Sequence, residues 1–220
     1  MKTIRLKLYK PALDKHLLDN LIWMHTYLWN PQGWKYKRLA CSHAGIWVPD
    51  ENGNYEYTDM TGTTYLGTCY TSTMGQAGGK NRVNYNGICK RPASEVLKHP
   101  ERWYYYEMQV EANALESALL SADLRVANNK GYDIKDILKY FLPVRTQDVN
   151  DDKMICSGFS WWFIYVLYRY SYFGVETPMA LENLCIKRTE QHLPSPFRLS
   201  LWCKDSGLIP VDLATGKNLI

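Results

Sequence analysis

The sequence predicts an α+β fold in which an antiparallel sheet packs against an apolar helix. Three stretches carry this. Residues 39–60 hold two β-prone runs around Pro49-Asp50-Glu51-Asn52-Gly53-Asn54, a strong hairpin turn. Residues 112–141 form a separate helical block that opens rich in Ala and Leu. Phe159 to Tyr170 is apolar on all sides, which is the pattern of a buried helix. Hairpin strands and helical blocks that are segregated along the chain suit an α+β layout.

Taken in order, Thr3 to Tyr9 alternates apolar and basic residues and predicts a half-exposed strand, stopped by Pro11. From Ala12 to Trp29, apolar residues at 13, 17, 18, 21, 22, 24 and 28 keep helical spacing up to Asn30-Pro31-Gln32-Gly33. His16 and His25 lie on that helix without an evident catalytic partner. Leu39 to Val48 and Tyr55 to Met60 are the two arms of the hairpin. Gly62 to Val83 is rich in Gly, Thr and Ser and is expected to be a mobile loop over a cleft. Its Gly78-Gly79-Lys80 is not a phosphate loop, because Asn81 follows the lysine where Ser or Thr is needed.

Val83 to Lys90 resumes as a strand. Pro92 to Leu97 starts a short helix closed by His99-Pro100, and the aromatic run Trp103 to Val110 is another strand. Ala112 to Asn128 is a helix with Gly131 at its C-terminal end, followed by a short helix over Tyr132 to Phe141 that Pro143 stops. Asp148 to Lys153 is a polar loop leading into the helix that carries Cys156. Gly174 to Thr177 breaks the chain and Pro178 to Cys185 is helical. The remainder, with Pro194, Pro196 and Pro210, predicts an irregular C-terminal extension with one short strand.

Length and composition bound the rest. The 220 residues suit a single domain, 1–220, with residues 171–220 packed on it as an extension. A hydrophobic share of 46% is enough for a real core. The 17 tyrosines and 8 tryptophans suit half-buried strands and cleft walls. A net charge of +4 with scattered basic residues does not predict nucleic-acid binding. The six cysteines, at 41, 69, 89, 156, 185 and 203, form no CxxC pair, which predicts free thiols in a reducing compartment. Met1 to Tyr9 lacks the apolar core of a signal peptide. Phe159 to Leu167, the longest apolar stretch, is far short of the roughly 20 residues a bilayer span needs. No transmembrane segment is therefore expected.

Met154-Ile155-Cys156-Ser157-Gly158-Phe159 carries the chemistry. A cysteine in the first turn of a helix meets unpaired backbone N–H groups and the positive end of the helix dipole, which favour the thiolate nucleophile. The dipole contributes only about 0.3–1 kcal/mol at an exposed end. A base must supply the rest, and an imidazolium paired with the thiolate is the expected form. His43 on the first hairpin arm is that base. Glu56 on the returning arm is the group that would orient it, with Tyr57 or Asp59 as the alternatives because the register is not legible. The set predicts attack on a carbonyl, an oxyanion held by backbone N–H groups at about 3–4 kcal/mol per well-placed donor, and a hydrolysed acyl-thioester. Cys41 and His43 could lend two ligands to zinc, but two more are not evident, so neither metal nor cofactor is expected.

Three motifs together resemble a family. Ser42-His43-Ala44-Gly45-Ile46, Gly131-Tyr132-Asp133 opening a helix, and Cys156-Ser157-Gly158-Phe159 are similar to the circularly permuted papain-like cysteine hydrolases of NlpC type. That family includes the YiiX-like and LRAT-like groups and uncharacterised phage proteins. In the permuted members the histidine strand precedes the cysteine helix, as His43 precedes Cys156. The likeness runs from Thr3 to Tyr170. The chain differs at Gly45, where the family often carries an acidic residue, and at Gly158, where Ser-Glu often follows the cysteine.

The resemblance implies a permuted papain-like fold and a cysteine hydrolase that cleaves an amide or ester in a peptide, a peptidoglycan stem peptide or an acyl-lipid. It implies a place in a bacterial cytoplasm or with a phage. The alternative is a binding or structural protein, of a phage particle for example, that keeps the fold without turnover. Oligomeric state is not legible.

Overall fold

Alternation along the first strand sets the architecture. In β1, Lys2–Tyr9, Ile4, Leu6 and Leu8 are buried on one face, while Arg5, Lys7 and Tyr9 point to the other. The computed structural model describes residues 1–10, 20, 24, 34–55, 66–77, 83–133, 154–171 and 195–220. Around β1 it builds a six-stranded antiparallel sheet from β2 (His43–Val48), β3 (Thr68–Ala77), β4 (Val83–Pro92), β5 (Trp103–Val110) and β6 (Pro210–Asp212), in the order β4-β3-β2-β1-β5-β6. Among the described residues four helices accompany it: α1 (Ala93–Val96), α2 (Ala112–Ala127), α3 (Cys156–Ser171) and α4 (Pro196–Asp205). The fold is α+β, as the sequence predicts.

The apolar face of the sheet and the helices close the main core. Ile4, Leu6, Leu8, Ala44, Ile46, Tyr70, Tyr104 and Tyr106 pack with Phe159, Phe163, Ile164 and Leu167 of α3 and with Phe197, Leu199 and Leu201 of α4. Helix α2 adds Leu115, Ala118 and Ala122, at helical spacing. A smaller cluster covers part of the other face, formed by Trp47, Tyr55, Cys69, Ala93, Leu97 and Trp103. The central strands are therefore buried on both sides. Among the described residues no helix is long and apolar enough to cross a membrane.

Several expectations change. The hairpin turn is present, with Asp50 Oδ1 accepting from the Asn52 and Asn54 amides. The neighbours of β2 in the sheet are nevertheless β1 and β3, not a returning arm beginning at Tyr55. Residues 56–60, with Glu56, Tyr57 and Asp59, lie outside the described residues. Residues 37–39 form a 3-10 turn ahead of β2, rather than its first part.

The glycine-rich stretch expected as a mobile loop contains the ten-residue strand β3. Its glycines obscured a β-prone core, Thr68-Cys69-Tyr70-Thr71-Ser72-Thr73, that pairs along its whole length with β4. The C-terminal extension holds the expected short strand, β6 at the sheet edge, and also the helix α4, which was not expected. Pro196, taken as a breaker, sits in the first turn of α4, where a missing N–H is harmless, and the Ser195 hydroxyl caps the Arg198 amide at 3.2 Å. Asn128, not Gly131, caps α2. The helices expected over 12–29, 132–141 and 178–185 lie outside the described residues, save for Asn20, Met24, Tyr132 and Asp133.

Candidate active site

Helix α3 begins where the sequence places it. The Ile155 carbonyl accepts the first helical bond, from Phe159 N at 2.9 Å. The backbone N–H groups of Cys156, Ser157 and Gly158 thus fall in the first turn, where no intrahelical acceptor exists. Cys156 is 3% exposed, and its carbonyl accepts from the Ser160 hydroxyl at 2.9 Å.

His43 opens β2, paired with Tyr9 of β1, and its ring meets Trp103 edge-on at 6.4 Å between centroids. Its hydrogen bond joins Nε2 to Thr71 Oγ1 at 3.0 Å. The Thr71 hydroxyl has a single proton and gives it to the Ala44 carbonyl at 2.7 Å. The oxygen then accepts from the ring, which assigns the hydrogen to Nε2 and leaves the lone pair on Nδ1.

Strand β3 gathers these parts. Thr71 holds the His43 ring, and the next residue, Ser72, donates its buried hydroxyl to the Met154 carbonyl, two residues before Cys156. Two adjacent residues of β3 thus bond the His43 ring on one face of the sheet and the approach to the cysteine helix on the other, because successive strand side chains point to opposite faces. No hydrogen bond joins the Cys156 thiol to the His43 ring among the described residues, and Glu56 lies outside them. Thr71 was not singled out in the sequence. Its role depends on the pairing of distant strands, which leaves no local signal.

Charge around the site is positive. Burial first, then Lys7 and Arg91, push the His43 imidazole down from 6.5 to about 3, so the ring is neutral at physiological pH. The imidazolium expected from the sequence is therefore not the resting form. Burial also raises the thiols of Cys69, to about 11, and of Cys41 and Cys89, so these three stay protonated. Among the described residues no three His, Cys, Asp or Glu side chains gather to hold a metal ion.

The His43 shift has a sign that can be measured. The unfolded ring takes up a proton as pH falls through 6.5, and the folded ring resists until about 3. Its contribution to stability is complete above 6.5 and is lost progressively towards pH 3. Urea unfolding at pH 7, 5.5 and 4.5 should show the wild type losing stability faster than His43→Gln. Parallel profiles would refute the neutral ring.

No family model, curated protein or solved structure matches the chain.

Proposed function

We propose that the chain is a cysteine hydrolase that cleaves an amide or ester through an acyl-thioester, with Cys156 as nucleophile and His43 as base. The observation that supports this most directly is the adjacent pair Thr71 and Ser72, which bond the His43 ring and the lead-in to Cys156 from neighbouring positions of β3. The ring enters neutral, with its lone pair on Nδ1. Nδ1 takes the Sγ proton as sulfur attacks the carbonyl carbon, and the π electrons move to oxygen. The first-turn N–H groups of α3 receive that oxyanion. Collapse expels the amine or alcohol, which takes the proton from Nδ1. Water, deprotonated by the same nitrogen, then cleaves the thioester to acid and free thiol.

Thr71 takes the orienting part that the sequence suggested for Glu56, by holding Nε2–H. A peptide-like, peptidoglycan-like or acyl-lipid substrate fits this chemistry, and a bacterial cytoplasmic or phage-associated setting fits its free thiols.

The test is alkylation by iodoacetamide of the folded protein at pH 7.5, read by peptide mass spectrometry. Cys156 should react about tenfold or more faster than Cys41, Cys69, Cys89 and Cys203, because reactivity follows thiolate character. The advantage should vanish in His43→Ala. Equal, slow labelling of all five would leave the chain a binding or structural protein.

A further inference from the structure

The sheet face that carries His43 also holds a lysine with nothing to bond. Lys7 stands opposite Gly45 of β2 and is 1% exposed, and its Nζ has no hydrogen-bond partner. Nζ lies 4.2 Å from the Trp103 ring centroid. The missing side chain at position 45 is what admits it. A Cβ there would stand 3.0 Å from Nζ, 3.1 Å from Cε and 2.9 Å from the Tyr70 carbonyl oxygen.

The register carries this face onward. Arg5 pairs with Trp47, Trp47 with Cys69, and Cys69 with Arg91, so Arg91 points to the same side as Lys7. Its Nε is a second buried donor without a partner. Its Nη2 pairs with the exposed Glu95 at 3.6 Å, and its guanidinium carbon lies 4.6 Å from the Tyr85 ring centroid.

The charged and titratable groups that act on Lys7 are the thiols of Cys69, Cys89 and Cys156 together with Arg91. Those that act on His43 are Lys7 and Arg91. No carboxylate is among them. Lys7 Nζ is buried with no carboxylate acting on it, and Arg91 on the same face has only the exposed Glu95 carboxylate at its outer end, so an anion beside Nζ relieves the cost of that burial.

We propose that Lys7 and Arg91 form a binding site for an oxyanion, the carboxylate or phosphate group of a ligand, on the sheet face shared with His43 and Trp103. On this face His43 and Arg91 are partly exposed, whereas Lys7 is buried. A planar or tetrahedral oxyanion accepts from Nζ and from the guanidinium together, which a halide does less well. Burial disfavours the Lys7 ammonium, and a bound anion restores it. The site rests on the cations alone and does not require Cys156 to be a nucleophile.

The test is titration calorimetry of the whole chain at fixed ionic strength, with inorganic phosphate in one arm, glutarate in the other and sodium chloride as control. One of the two oxyanions should saturate at one per chain, and which one does identifies the ligand group. Lys7→Met and Arg91→Lys should each weaken that binding about tenfold or more, the loss for one charge-assisted hydrogen bond. Lys98→Met, an exposed lysine elsewhere, should bind as the wild type does. Thermal melts accompany each variant, and Lys7→Met is expected to fold because it removes an unpaired buried charge. Absence of saturable binding by both oxyanions, or unchanged binding in a folded Lys7→Met, would overturn the proposal.

Discussion

Cys156→Ala is expected to lower hydrolysis of an ester or peptide-amide reporter by roughly 10⁴-fold or more while leaving the fold intact. The thiol supplies the sulfur that bonds to the acyl carbon in the first half of the proposed reaction, so nothing remains to make the acyl intermediate. His43→Ala should cost nearly as much, and the double variant little more than either, because nucleophile and base act as one unit. Thr71→Val should cost less. It keeps the side chain's shape but removes the oxygen that accepts Nε2–H at 3.0 Å. The loss should fall on kcat with KM unchanged, since the hydroxyl sets the tautomer and does not reach the substrate. Initial rates over a pH series, with circular dichroism of each variant, would measure this. Turnover at the wild-type rate by Cys156→Ala would end the mechanism.

Phe163→Ala should cost roughly 3–5 kcal/mol, the usual range for emptying a buried aromatic site. Phe163 is 0% exposed and stacks on Tyr70 of β3 with 6.4 Å between ring centroids. It also meets Phe159 at 6.4 Å. The cavity would open where α3 rests on the sheet. It would also loosen Tyr70, whose hydroxyl donates to Asp123 of α2 at 2.9 Å. For a chain of this size the melting temperature should fall on the order of 10 °C. An unchanged melt would mean that α3 does not rest on the sheet through this residue.

The elements that were legible share a property. Trp103–Val110 and the start of α3 announce themselves through runs of one residue class, and the alternation in Lys2–Tyr9 marks which side chains go inward. The misread elements carry conflicting local signals. In β3, Gly75 and its hydroxyl-rich neighbours pull towards a loop, and only pairing with β2 and β4 overrides them. In α4, Pro196 looks like a stop until Ser195 supplies the cap in front of it. The proposed nucleophile and base, Cys156 and His43, were nameable because each sits at the start of a recognisable run. Thr71, Lys7 and Arg91 were not, since each takes its meaning from a strand far away in sequence.

The sequence by itself determined the α+β class, the inward face of β1, the placing of Cys156 in the first turn of an apolar helix and the absence of a long apolar span. All of these follow from spacing and propensity within about twenty residues. The tertiary structure alone decided that β1 lies between β2 and β5, which sets Lys7 over Gly45 and beneath Trp103. It alone decided that β3 brings Thr71 to His43 and Ser72 to the approach of Cys156. Strand order and register are settled by burying one continuous core at least cost in loop entropy, and that balance is a property of the whole chain rather than of any window along it.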